Sequence, residues 1–335
     1  MNTKHTVGLS STEIAGLWAT YINDSMSICL SKHFMEQSNN EDVKPIIQLT
    51  LDISQKHIEE IKNIFEKENF PIPKGFSDED IDLSAPPLFF NLFPISYAYG
   101  MSRMSMVNYS MIISNVARED IRSFFSKCLT STLDLYNTLV NLMLSKGIYD
   151  RPTMIPYPDK VEFIKEKETF LSKWFEKKRP LNVLELSEIF FNIERNYTAL
   201  VLLTGFIQVV KDDQIKKFLT KGKELAQKQI QFLNQTLIKE DLLGTTMVNS
   251  EVSTSTTSPF SEKLIMNLVT ILNTQGVTYI GHALASSARI DLANEYSKLI
   301  PEILQYGKEG TDILIERGWL EEPPHTPNRK ELAEN

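Results

Sequence analysis

Apolar residues recur at three- and four-residue spacing along most of the chain, and they do so in two rounds. In the first, Ile14, Leu17, Tyr21 and Ile28 share one stripe, and Ile46, Leu49, Ile53, Ile61 and Ile64 share another. That is the spacing of helices with one buried face. Ser10-Ser11-Thr12-Glu13 has the form of a capping box and sets a helix start. This helix is expected to run to about Gln37, with Asn39-Asn40 as the turn that follows. The second helix should end before Phe70-Pro71-Ile72-Pro73, because a residue preceding proline avoids the helical region. Further helices are expected over 87–116 and 118–146, with Gly147 as a left-handed cap and Pro152 beyond it. The second round repeats the plan. Asn182 and Glu185 form a cap, Asp212-Asp213 opens a second helix, Pro259 opens a third, and Gly318 ends a fourth.

The two rounds are copies of one unit. Gln55-Lys56-His57-Ile58 corresponds to Gln227-Lys228-Gln229-Ile230, and Ala117-Arg118-Glu119-Asp120 to Ala288-Arg289-Ile290-Asp291. The offset is 172 at Pro87/Pro259 and 171 at Ala117/Ala288. One residue inside a helix rotates all that follows by about 100°. The third helix of one copy is therefore expected to carry a π-bulge, a kink or a shifted start. Pro94, which has no counterpart, marks the place.

Loop lengths give the topology. Helices 1 and 2 are joined by few residues and must be antiparallel neighbours, as must helices 3 and 4. Phe70 to Pro86 separates helices 2 and 3. A helix of this size is roughly 42 Å long, and an extended linker of that size reaches about 55 Å. The linker can traverse the whole bundle, which makes helices 2 and 3 parallel. The fold expected is all-α, two tandem ferritin-like four-helix bundles with a long helix 2–helix 3 crossover in each. The divisions are 1–152, a connector over 153–180 with a short charged helix near Asp159 to Phe175, 181–320, and a frayed polar tail over 321–335.

Composition then narrows the chemistry. The net charge is −8, with basic residues scattered, which argues against nucleic acid as a partner. No apolar run is long enough to span a membrane, and Met1 to Gly8 has no signal-peptide core. Cys29 and Cys128 sit in apolar helical contexts and read as buried thiols. A soluble cytoplasmic protein is expected.

Several stretches also carry a family resemblance over nearly the whole chain. They include Leu17-Trp18 with Asn23-Asp24-Ser25-Met26, Ser54-Gln55-Lys56-His57-Ile58, Leu144-Ser145-Lys146-Gly147, Phe190-Phe191-Asn192-Ile193 and Gly318-Trp319-Leu320-Glu321. In these the chain resembles the duplicated helical proteins of spore-forming bacilli known as domain of unknown function 3231. The resemblance implies ferritin-like bundles, distantly similar to spore-coat protein F, and an association with the spore. It implies no catalytic residue.

A ferritin-type metal site needs carboxylates on four helices and two Glu-x-x-His pairs. His33, His57 and His282 have Leu30, Ser54 and Tyr279 three residues earlier. Glu322-Pro323-Pro324-His325 fits the string but lies in the tail. No cofactor is expected, and Glu13, Asp24, His57 and Glu60 remain the candidates for a looser metal site. Asp24 and His57 lie on the apolar stripes of helices 1 and 2 at similar heights, and their counterparts are Asn196 and Gln229. Buried polar groups must be paired, so each couple is expected to be a structural contact that sets helix register. Helix 3 of the first copy carries Tyr97, Tyr99, Met101, Met104, Met106, Tyr109 and Met111. It reads as core or as the wall of an apolar pocket. The Arg118/Asp120 and Arg289/Asp291 pairs are expected to tie helix 4 to a neighbouring carboxylate.

No nucleophile elbow or phosphate loop is present. The residues favour a non-enzymatic structural or interaction protein, with a homo-oligomer or another protein as partner. The alternative is a binder of a metal or a small apolar molecule, with its site in the first bundle.

Overall fold

The computed structural model describes residues 7–90, 92–164, 179–245 and 252–334. The first copy holds α1 (Ser11–Gln37), α2 (Lys44–Lys67), α3 (Phe93–Ile113) and α4 (Glu119–Ser145). The second holds α5 (Val183–Val209), α6 (Asp213–Ile238), α7 (Glu262–Ser286) and α8 (Ile290–Glu316). A short exposed helix, α9 (Arg329–Glu334), follows within the segment expected to be a frayed tail. Most of the expected connector helix lies outside the described residues, and 159–164 are not helical.

Local chemistry sets the helix ends. Ser10 and Glu13 exchange both bonds of a capping box at α1, and Asn182 and Glu185 do the same at α5. The Asp212 side chain accepts from Gln214 and Ile215 at the start of α6. Gly147 and Gly318 end α4 and α8 at φ +66° and +64°, the left-handed conformation that glycine adopts without a Cβ penalty.

Helix α3 departs from expectation, beginning at Phe93 rather than near 87. Pro94 has no N–H and is tolerated only in the first turn. Its counterpart α7 starts three positions earlier in the repeat, capped by Ser261. No π-helix occurs among the described residues. The lost residue is absorbed by a shifted start.

Ion pairs at opposite ends fix the topology. Arg118, before α4, reaches Glu68 at the end of α2 (2.8 Å), while Lys146, after α4, reaches Asp42 before α2 (2.7 Å). So α2 and α4 are antiparallel. Glu13, at the start of α1, accepts from the Arg118 backbone at the far end of α3 (2.9 Å), so α1 and α3 are antiparallel too. It follows that α2 and α3 run parallel, joined by the long crossover. The second copy repeats both clamps, Arg289 on Glu240 (2.5 Å) and Arg317 on Asp212 (2.8 Å). Each copy is a four-helix bundle with one long crossover.

The crossovers also join the bundles. They lie side by side and antiparallel, with Ile81 opposite Phe260 and Phe89 opposite Val252. The Ser253 N–H donates to the Leu88 carbonyl (2.9 Å), and the Ser261 N–H to the Asp80 carbonyl (2.9 Å). At the offset of 172, Ile81 corresponds to Ser253 and Phe260 to Leu88, so the pairing maps onto itself as a pseudo-twofold. Each crossover then packs on the first helix of the other bundle. Phe260 meets the His33 ring edge-on (5.3 Å between centroids), and Leu88 and Phe89 lie over Gly205, the counterpart of His33. A Cβ at Gly205 would come within 2.6 Å of the Phe89 ring. One continuous core therefore runs through both bundles, from Leu30 and Phe34 through Leu88 and Phe93 to Phe206 and Leu264. Burial of each such side chain stabilises by about 1.5–3 kcal/mol.

Candidate functional site

Asp24 on α1 and His57 on α2 are buried and joined, Nδ1 to Oδ2, at 3.0 Å. The other carboxylate oxygen accepts from the Ser54 hydroxyl (3.1 Å). Since a carboxylate accepts, Nδ1 carries a proton toward Asp24, and in that tautomer of the uncharged imidazole Nε2 is the remaining acceptor. The His57 ring sits edge-on between Tyr109 and Phe124 (6.0 and 6.1 Å). Burial, then the Asp24 charge, holds the Tyr109 phenol well above its usual range, so it stays a neutral hydroxyl. In the second bundle Asn196 donates to Gln229 (3.1 Å) at the corresponding place.

Of the four metal candidates, Asp24 and His57 meet, and Glu13 and Glu60 do not join them. Glu13 lies three turns from Asp24 along α1, roughly 16 Å. Burial raises its carboxyl, but bonds from the Ser10 N–H and hydroxyl and from the backbone of Ala117 and Arg118 outweigh it and hold it below the usual range. That carboxylate ties α1 to the α3–α4 corner. Glu185 does the same for Arg289 (3.1 Å) and takes both guanidinium nitrogens of Arg179. Glu60 faces Lys127 (3.8 Å). Glu322 and His325 are exposed in the tail. Among the described residues no group of three or more His, Cys, Asp or Glu side chains gathers as a metal site requires.

Beside the Asp24–His57 pair lies a cavity of about 750 Å³. Its walls come from α1 (Thr20, Asn23), α3 (Met101, Met104, Ser105) and the second bundle's α7 (Leu268, Leu272). That volume falls in the range of small-molecule sites. Two things open it. First, α1 and α3 touch over a shorter stretch than their counterparts α5 and α7. Second, the seam between bundles is asymmetric. On one side Arg103 of α3 pairs with Glu194 of α5, its guanidinium stacked 4.3 Å from the Phe191 ring and 5.0 Å from the Tyr99 ring. At the corresponding place on the other side stand Thr274 and Ile22, which form no such clamp and line the cavity.

The second bundle reduces the equivalent space to about 70 Å³ with its own side chain. Arg195, the counterpart of Asn23, extends from α5 and donates to Asn192 (3.2 Å) and Gln229 (3.3 Å). Its guanidinium lies 6.0 Å from the Tyr279 ring and against Gly276, where a Cβ would come within 3.2 Å. Both hydrogen-bond acceptors are amides. Burial pulls the Arg195 guanidinium down to about 10.

The thiols offer no nucleophile. Burial pushes Cys29 up to about 12 and Cys128 higher still, and a thiol of raised pKa is inert. Asn23, Arg195 and the Arg103–Glu194 pair were not singled out by sequence reasoning. The mismatch of Asn23 with Arg195 was a signal available from the repeat.

No described helix is long and apolar enough to cross a membrane. No curated protein matches the chain. A solved structure from Bacillus halodurans C-125, provisionally described as a spore coat protein, is similar with 21% sequence identity and a TM-score of 0.40. That match covers 45% of this chain and 98% of the other. The family described as "Protein of unknown function (DUF3231)" matches residues 1–161 and again 169–332. With both copies matched over almost their full length, the chain belongs to the DUF3231 family and carries its unit twice.

Proposed function

We propose that the protein is a non-enzymatic helical binder, holding one small apolar molecule in the first bundle while the second serves as a filled, structural copy. The observation that carries this is the cavity of about 750 Å³ beside Asp24 and His57, at the place where Arg195 fills the second bundle. Methionines on α3 suit such a wall, because an unbranched, polarizable side chain adapts to varied apolar shapes. In this reading Asp24–His57 and Asn196–Gln229 both set the register of the first two helices. The inert thiols and the scattered carboxylates support a role without catalysis.

Native mass spectrometry of the purified chain, with solvent extraction, tests the proposal. One small molecule per chain, released on unfolding, is the expected result. A ligand-free chain that also fails to take up any apolar probe in stoichiometric amount would overturn it. An immunoblot through a sporulation time course is the separate test of the spore association that the family resemblance implies.

A further inference from the structure

The two copies of the unit differ at one place in a way that describes a ligand. In the second bundle a guanidinium occupies the space between α5, α6 and α7, held by Gln229 and Asn192 and backed by Gly276. The counterparts of those three residues are His57, Thr20 and Ser105, taking the offset of 171 that holds toward the end of α3. All three line the cavity of the first bundle. Asn23, the counterpart of Arg195, is too short to reach across it. The pocket has thus lost the cation that its twin carries.

It has also gained an anion. The amide pair Asn196–Gln229 is replaced by Asp24–His57, which adds a buried carboxylate behind the same acceptor position. In the tautomer that donates Nδ1–H to Asp24, Nε2 of His57 is left as an acceptor, as Oε1 of Gln229 is for Arg195. The other charged residues of the cavity are engaged elsewhere. Lys263 donates to the Gly75 carbonyl (3.3 Å) and lies 4.7 Å from the Phe76 ring. Glu321 accepts from the backbone N–H groups of Lys74 and Gly75 (2.8 and 2.6 Å).

From this we infer that the first-bundle cavity binds an amphipathic organic cation, a guanidinium or ammonium head on an apolar body, with the head at His57 and Asp24 where the second bundle places Arg195. The inference rests on the proposal that the cavity is a ligand site and names the class of molecule it takes. The neutral amides of the second bundle already accommodate a guanidinium, and the Asp24 carboxylate behind His57 strengthens that preference, because an opposite charge within a few ångströms favours a cation. The apolar body lies along the α3 methionines and the α7 leucines.

Calorimetric titration of the full chain with four matched probes tests this: octylguanidinium, octylammonium, octanol and octanoate. The cations are expected to bind at least about tenfold more tightly than octanol, and octanoate most weakly. Octanol binding as tightly as the cations overturns the cation preference and leaves the apolar cavity standing. No binding by any of the four overturns both readings.

The variant Asn23→Arg supplies the missing cation from within and is expected to abolish cation binding with helicity unchanged by circular dichroism. Unchanged affinity in a folded Asn23→Arg chain overturns the placement of the head. Should that variant fail to fold, Asn23→Arg with Ser105→Gly reproduces both members of the second copy's arrangement. Asp24→Asn is the complementary variant. It is expected to narrow the gap between octylammonium and octanol to about threefold or less, and an undiminished gap counts against the inference.

Discussion

The two bundles share a topology, a capping scheme and a set of end clamps, yet one is nearly closed and the other is hollow. In the second, the α8 clamp residue Arg289 is 2% exposed and ties together Glu240, Asp291 and the Arg179 carbonyl. In the first, Arg118 makes the corresponding bonds to Glu68 and Asp120 from a more open position. The second bundle fills its middle with Arg195, and the first leaves a cavity there. A duplicated unit has kept the parts that hold helices together and has changed the part that fills the space between them. Framework bonds act locally at helix ends, so a change in the middle leaves them intact.

The sharpest way to break this comparison is at the clamps. Arg289→Ala is expected to destabilise by about 3–5 kcal/mol, because the bonds of a buried guanidinium to two half-buried carboxylates and a carbonyl are lost together. Arg118→Ala should cost clearly less, since water reaches its partners. Urea unfolding of both variants checks this, and equal losses would mean that the two bundles are closed to the same degree.

The pair His33 and Gly205 distinguishes the copies by pH. His33 is 1% exposed, its Nδ1 has no hydrogen-bond partner among the described residues, and burial pulls it down to about 4. Below its ordinary value of 6.5 the unfolded chain takes up a proton that the folded chain refuses. Stability is therefore expected to fall as pH drops from 6.5 toward 4, by on the order of 3 kcal/mol. In His33→Gln this part of the pH dependence should vanish. The Glu13 and Glu185 carboxyls lie below their usual range, so their contribution is lost only at lower pH, below about 4.5. A variant with an unchanged slope between pH 6.5 and 4 would remove His33 from the account.

Gly205→Val is expected to cost about 1–3 kcal/mol, as overpacking does, by pushing the Phe89 ring off α5. Thermal melting measures it. The same change at a site without a docked crossover would have little effect beyond helix propensity, so a negligible shift would argue against tight docking of the two bundles.

Asp24→Asn and His57→Gln, made singly, are each expected to cost about 1 kcal/mol through a mismatched buried partner. The double variant installs the second copy's own pair and should recover most of that loss. A double-mutant cycle reads the coupling, and a double variant less stable than either single one would show that the two pairs are not interchangeable.

Much of this molecule was legible in the chain. The box at Ser10 and Glu13, the cap at Asn182, and the glycines at 147 and 318 each report a helix end to neighbours within a few residues. The same holds for the parallel placement of α2 and α3, which follows from the reach of the crossover. The start of α3 lies six residues later than expected, because Pro87 reads as a helix-opening proline while Leu88 and Phe89 are not helical. They are held instead by Val252 and Ser253 of the other crossover, some 164 positions away. Asp24 and His57 stood out as polar residues on apolar stripes, while Asn23 beside them looked ordinary. Nothing local distinguishes an asparagine that leaves a void from one that faces water.

Caps, periodicity and linker reach act between residues close along the chain, so the helices, their ends, the duplication and the topology can be read from it directly. The pairing of the crossovers, and the packing of each on the other bundle, emerge only in the folded chain, as does the cavity that Asn23 opens where Arg195 nearly closes one. Whether a space is filled depends on the volumes of side chains that three helices from two copies bring to the same point, and those meet only once the chain has folded.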